Sequence, residues 1–122
     1  MWKKTILIVD DEVQFSEVLQ MRLEANRYAV QTAASGEEGL QKAASLQPGL
    51  ILLDVMMPGI DGYETLRRLR QDTKTRQIPV VMLTAKGESK SIFRAQELGA
   101  SDYIIKPCPS EELLQMVRRY LP

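Results

Sequence analysis

The chain has 122 residues, with 16 Lys and Arg against 16 Asp and Glu, no His, a single Cys and a hydrophobic share of 44%. That length makes one ordinary domain over residues 1–122, burying roughly two-thirds of the surface its unfolded form exposes, so no disulfide or structural metal is needed to hold it. The lack of His excludes Ser-His-Asp and Cys-His nucleophile pairs, His-ligated zinc and a switch titrating near neutrality. Balanced charge gives no overall pull toward nucleic acid or an anionic membrane. Cys108 cannot form an intramolecular disulfide, which fits a reducing compartment. Apolar runs such as Ile6 to Val9 are too short for a signal-peptide core or a membrane span. The expectation is a cytoplasmic protein.

In chain order, the apolar run Ile6-Leu7-Ile8-Val9 predicts a strand covered on both faces. Phe15, Val18, Leu19 and Leu23 then form one stripe of a helix that ends near Asn26. Tyr28 to Ala33 alternates and predicts a second strand. Ser35 and Glu38 have the capping-box spacing ahead of a helix carrying Leu40, Ala43 and Ala44. Leu50-Ile51-Leu52-Leu53 predicts the third strand, and Asp61 and Glu64 repeat the capping spacing before Leu66 and Leu69. Pro79 to Leu83 predicts the fourth strand, followed by a helix over Ser89 to Leu98 that Gly99 stops. Tyr103-Ile104-Ile105 is the fifth strand, and Leu113, Leu114, Val117 and Tyr120 mark the last helix. Five βα units in a row require a parallel sheet with right-handed crossovers, and at this length an open, doubly wound α/β sandwich.

In such sheets ligands sit outside the carboxyl ends of the strands. The first strand ends in Asp10-Asp11-Glu12, the third in Asp54, the fourth in Thr84 and the fifth in Lys106, while the second ends blandly. Singly, each is an ordinary cap or turn former. Together they meet, because adjacent strands place their ends within about 5 Å of one another. Crowded carboxylates raise one another's pKa unless a cation compensates, and one Lys is too little for three acids. A hard divalent cation is the natural remedy, and Mg²⁺ favours one or two carboxylates together with waters and a phosphate. The set therefore reads as a metal-assisted phosphoryl site with an Asp nucleophile.

Four segments carry a resemblance: Ile6 to Glu12, Leu52 to Gly62, Leu83-Thr84-Ala85 and Gly99 to Pro107. In this order they resemble the receiver domain of two-component response regulators over essentially the whole chain. The resemblance implies a five-stranded flavodoxin-like (CheY-like) sheet of order 2-1-3-4-5. It implies that Asp54 is the phosphoacceptor, that Asp10 and Asp11 form the acid pocket, and that Asp11, Asp54 and the backbone carbonyl of Met56 hold Mg²⁺. Thr84 and Lys106 would contact the phosphoryl group, Lys106-Pro107 would be a cis bond, and Tyr103 would turn inward when Thr84 moves. Pro58 and Gly59 suit the turn passing over the site. Met56 and Lys86 occupy positions that tune phosphoryl loss in the family. Upstream partners would be a sensor histidine kinase or a histidine phosphotransfer protein. Downstream would stand a protein target or an output domain, with a possible homodimer through the fourth and fifth helices.

Three readings stay local. Glu12 is either a third pocket acid or a solvated partner of the first helix dipole, and is left out of the metal shell. Gln14, Phe15 and Val18 form a docking face or belong to the core. Cys108 stands where an aromatic usually follows Lys-Pro, Pro109-Ser110 inverts the usual order at the start of the last helix, and the thiol is expected to be packed and inert. The expected activity is a phosphoacceptor switch that catalyses only its own phosphorylation and dephosphorylation. The alternative is a phosphorylation-independent interaction module. An enzyme on outside substrates is disfavoured, since neither an Asp-x-Asp nor a P-loop spacing is present. Arg67, Arg68, Arg70, Lys74 and Arg76 read as a solvated helix face in place of a nucleic-acid surface. The chain ends with the fifth helix, so it is expected to be a stand-alone regulator or a receiver from a longer protein.

Overall fold

The computed structural model describes residues 5–85 and 89–122. Along them run β1 (Thr5–Val9), α1 (Val13–Ala25), β2 (Ala29–Ala33), α2 (Gly36–Leu46), β3 (Leu50–Asp54), α3 (Gly62–Gln71), β4 (Val80–Thr84), α4 (Ser89–Glu97), β5 (Asp102–Ile105) and α5 (Ser110–Tyr120). The strands form one parallel sheet in the expected order, β2-β1-β3-β4-β5.

The central strands are apolar at every position because successive side chains enter two different cores. Ile6, Ile8, Leu50, Leu52, Val81, Leu83 and Ile104 face α1 and α5, where Leu19, Leu23, Leu113 and Val117 meet them. Leu7, Val9, Ile51, Leu53, Val80 and Met82 face the other way, against Ala43 of α2, Leu66 and Leu69 of α3 and Ala95 of α4. Each Leu- or Ile-sized side chain buried in these layers contributes roughly 1.5–3 kcal/mol. At the edges β2 and β5 mix buried with more accessible residues, β2 burying Val30 and Ala33 and β5 burying Ile104.

Local details differ from the sequence pattern in four places. The stripe of α1 that meets the sheet is Ser16, Leu19 and Leu23. Val18, one residue or about 100° round the helix from Leu19, is exposed. The Ser35 hydroxyl accepts from the Glu38 amide at 3.1 Å, but the Glu38 carboxylate accepts from the Ala34 amide and leaves the cap residue's own N–H aside. Asp61 accepts from the Glu64 amide at 2.9 Å, whereas the Glu64 carboxylate turns to Arg67 and Arg68. Both caps thus form while the reciprocal half of the box does not. Gly99 follows α4 with φ +97, the left-handed stop expected.

The fourth difference is at α5. Pro109 is its N-cap and makes no side-chain cap bond. In the opposite order Ser would cap and Pro would take the first helical position, which its fixed φ suits. Glu111 and Glu112 in the first turn offset part of the loss. Exchanging the two residues (Pro109→Ser with Ser110→Pro) is expected to stabilise the chain by about 0.5–2 kcal/mol, read as a higher midpoint in urea denaturation. An unchanged or lower midpoint would mean that the present loop already satisfies the helix end.

Candidate phosphoryl-acceptor site

The parallel register makes the site. Val9 pairs with Leu53, Asp54 with Leu83 and Thr84 with Ile105, so four strands end nearly level and their next residues share one edge. Alternation then sorts the polar groups. Asp10, Asp54 and Lys106 continue the series Ile8, Leu52 and Ile104 toward α1 and α5, while Thr84 continues Val80 and Met82 toward the α3 and α4 side. Tyr103, adjacent to Ile104, belongs with Thr84. It is 36% exposed, so this mid-strand aromatic is not core.

Lys106 occupies the centre. Its Nζ lies 2.8 Å from Asp10 Oδ2, 3.0 Å from Glu12 Oε1 and 3.2 Å from Asp54 Oδ1, and 4.5 Å from the centroid of the Phe15 ring. The Lys106-Pro107 bond is cis, as expected. The Lys106 amide donates to the Thr84 carbonyl at 2.7 Å, and Arg22 Nη1 donates to the Cys108 carbonyl at 3.0 Å. These two bonds fix the loop that carries the ammonium. Asp10 donates its amide to the Ala33 carbonyl at 3.0 Å and accepts from the Glu12 amide through Oδ1 at 2.9 Å.

The loop after Asp54 crosses the site through Gly59, at φ +78, and returns where the Gly62 amide donates to the Val55 carbonyl at 2.8 Å. A Cβ on Gly62 would stand 2.2 Å from the Asp54 carbonyl oxygen, so only glycine lets α3 start this close to the acceptor strand. The Met56 side chain is exposed. Lys86 lies outside the described residues.

Asp10, Asp54 and Thr84 are buried, and burial pushes the Asp54 carboxyl up to about 7, with Asp10 and, less strongly, Asp11 adding to the rise and Lys106 opposing it. Burial works against the Lys106 ammonium too, but the contacts with Asp10 and Glu12 and the charge of Asp54 outweigh it and hold the group above the ordinary lysine value. The Cys108 thiol is buried and pushed up to about 11 by desolvation, so it is packed and inert as expected.

Among the described residues, one cation therefore serves three acids. Asp10 Oδ2 is a buried oxygen that lies 2.8 Å from Lys106 Nζ. Oxygens of Asp10, Glu12 and Asp54 lie within 4.8 Å of one another, a group able to hold a metal ion. Asp11 is half-buried and not in this trio. Glu12, which the sequence pattern leaves outside the metal shell, faces the pocket, and Phe15 is a wall of it. Their spacing in the first turn of α1 is the signal that could have placed them there. Of the basic residues, Arg67 and Arg68 pair with Glu64. Arg70 donates to the Gly99, Arg76 and Ile78 carbonyls and so ties the α3–β4 loop to the α4–β5 loop.

An acid pocket that holds the Lys106 ammonium, at the carboxyl edge of a doubly wound five-stranded sheet, defines a receiver module. The chain belongs to the response regulator receiver domain family, whose model matches residues 6–118 and whose general mechanism is phosphorylation of an aspartate. It is 44% identical over 116 residues to the DNA-binding dual master transcriptional regulator RpaA of Synechocystis sp., covering 95% of this chain and 48% of that protein. It is 45% identical over 118 residues to the alkaline phosphatase synthesis transcriptional regulatory protein PhoP of Bacillus subtilis, covering 97% of this chain and 48% of that protein. The chain spans about half the length of these curated relatives. Among solved structures, the chemotaxis protein CheY4 of Vibrio cholerae superposes with a TM-score of 0.92 at 29% identity, covering 98% of this chain and 99% of that one. Receiver domains are generally switches and not enzymes acting on outside substrates. No helix among the described residues is long and apolar enough to cross a membrane.

The raised Asp54 carboxyl has a signed effect on stability. The folded chain binds a proton there up to about pH 7, whereas the unfolded chain releases it near the ordinary value of 3.8. This contribution is full below about pH 4 and is lost as pH rises through about 7. In metal-free buffer Asp54→Asn is expected to be more stable than the parent at about pH 8, by roughly 1–3 kcal/mol, and nearly equal to it at about pH 4. Thermal unfolding at both values checks this, and a constant difference across the range would contradict it.

Proposed function

We propose that Asp54 accepts a phosphoryl group from a phosphohistidine of a sensor histidine kinase or histidine phosphotransfer protein, in a cytoplasmic, Mg²⁺-dependent reaction of a receiver domain spanning residues 1–122. The observation that carries the reading is the buried Asp54 carboxylate, set 3.2 Å from the Lys106 ammonium, which among the described residues also faces Asp10 and Glu12. Asp10, Asp11, Asp54 and the Met56 carbonyl would hold the cation. When bound, Mg²⁺ would neutralise the pocket, keep Asp54 ionised and shield the incoming phosphoryl oxygens. The clustered oxygens of Asp10, Glu12 and Asp54 and the raised Asp54 carboxyl support that need.

In the transfer, an Asp54 oxygen bonds to phosphorus as the phosphorus–nitrogen bond to the donor imidazole breaks. The imidazole keeps the bonding electron pair and takes up a proton. The chain's own residues mainly position and neutralise. The buried surroundings of Asp54 exclude bulk water, Lys106 moves its ammonium to a phosphoryl oxygen, and the Thr84 hydroxyl donates to another. The added charge and acceptor oxygens draw Thr84 toward the site, and Tyr103, on the same face, turns inward. A cavity of about 140 Å³ lined by Ile92, Ala95, Gln96 and Tyr103 lies beside it. This shifts a two-state equilibrium in the surface of α4, β5 and α5. Phe93, Tyr103 and Ile105 expose apolar area there, which supports that face as the contact for a target, an output domain or a homodimer through α4 and α5.

With Mg²⁺ and acetyl phosphate the chain should gain one phosphoryl mass. The gain should vanish in Asp54→Asn and on chelation of the metal. Labelling of Asp54→Asn equal to the parent would overturn the assignment. Val18, exposed on α1 near the site, supports a donor docking face with Gln14. Val18→Glu should lower transfer from a cognate kinase several-fold while leaving acetyl phosphate labelling unchanged, and equal losses in both assays would refute docking there.

A further inference from the structure

We infer that Glu12 and Phe15 form a holding site for Lys106 in the unphosphorylated chain, so that a phosphoryl group must draw the ammonium away from them. The inference rests on the assignment of Asp54 as acceptor and deepens it. It sets part of the balance between resting and phosphorylated states on two residues of α1.

Glu12 is the N-cap of α1, yet its side chain makes no cap bond to the helix amides. Its carboxylate reaches back over the site and accepts from Lys106 Nζ at 3.0 Å. Asp10 and Asp54 are buried beneath the ammonium, whereas the Glu12 side chain is 63% exposed. It therefore holds Lys106 from the solvent side, on the path a phosphoryl donor must take. Phe15, three residues on and so on the same side of the helix, places its ring face 4.5 Å from the same nitrogen, within the range of cation–π attraction. The Lys106 side chain is only 16% exposed, so ring and carboxylate together replace much of its hydration.

The hold acts against the phosphorylated state in two ways. Lys106 must leave favourable contacts to reach the phosphoryl oxygens, and the Glu12 charge repels the incoming anion. The ring contributes only to the first, so the two residues separate positioning from plain repulsion. A receiver with this pair rests further toward its unphosphorylated form than one without it, and the pair is a place where that balance is set without touching Asp54, Thr84 or Lys106.

The test uses beryllofluoride as the phosphoryl mimic at saturating Mg²⁺, with lysine-labelled chain followed by carbon–proton correlation NMR. In the parent, the Lys106 Cε protons are expected upfield of the other lysines because of the Phe15 ring current, and to return toward them when beryllofluoride binds. Phe15→Leu should abolish the upfield position in the free chain, and Phe15→Tyr should restore it. Glu12→Gln and Phe15→Leu should each tighten beryllofluoride binding, by roughly two- to fivefold, with Phe15→Tyr at the parent value. Glu12→Gln should leave Mg²⁺ affinity within about twofold, as expected for a residue on the rim of the site. The inference is overturned if Lys106 resonates with the other lysines in the free chain, stays upfield on beryllofluoride binding, or if Glu12→Gln weakens Mg²⁺ and beryllofluoride together as loss of a metal ligand would. Absence of beryllofluoride binding in the parent, or equal binding by Asp54→Asn, would instead overturn the acceptor assignment itself.

Discussion

The ammonium of Lys106 stands among Asp10, Glu12 and Asp54, and most of the local structure exists to hold that unequal contest of charges in place. Burying two acids beside one base is costly unless the geometry is well determined. Here the β1, β3, β4 and β5 register determines it, since a slip of one residue in any strand would send a site group to the opposite face of the sheet. The loop carrying Lys106 is pinned to β4 through the Thr84 carbonyl and to α1 through Arg22. Removal of the acids would leave that loop anchored but without purpose, whereas removal of Lys106 would leave two buried carboxylates without a counter-charge.

Burial first, and the neighbouring Asp10 second, set the protonation of Asp54. With its carboxyl raised to about 7, Asp54 would be shifted toward the ionised form by a divalent cation bound beside it. Metal binding and ionisation of Asp54 would therefore be linked. Gly62 contributes from the backbone side by letting α3 begin against the Asp54 carbonyl, which keeps the loop above the acceptor close to it.

The layer order and the strand ends were legible in the sequence because short, continuous apolar runs recurring between helical stripes suit strands covered on both faces. The motifs shared with the receiver family then supplied the strand order and the cis bond at Lys106-Pro107. Helix faces were less legible. Val18 and Leu19 are both apolar and adjacent, and periodicity alone did not show which would meet the sheet. Glu12 was ambiguous for a related reason, since an acid in the first turn of a helix already has a satisfactory partner in the helix dipole. Its turn toward Lys106 depends on a residue 94 positions away. The capping boxes were half right because Arg67 and Arg68, lying one turn on, offer Glu64 charges that the Asp61 backbone does not.

The alternation that sends Asp54 and Lys106 to one face of the sheet sends Thr84 and Tyr103 to the other. The proposed acceptor and the proposed Tyr103 readout would thus start from different faces of the sheet and meet at its carboxyl rim through Thr84, while α5 packs on the acceptor's face. Substitutions on the outward surface of α4 and at Tyr103 would leave the layer of Asp10, Asp54 and Lys106 in place, and substitutions on the exposed side of α1 would leave the α4 surface in place. A fold divided in this way is suited to recombination: an exchanged surface inherits a working trigger, and a modified trigger inherits a working surface.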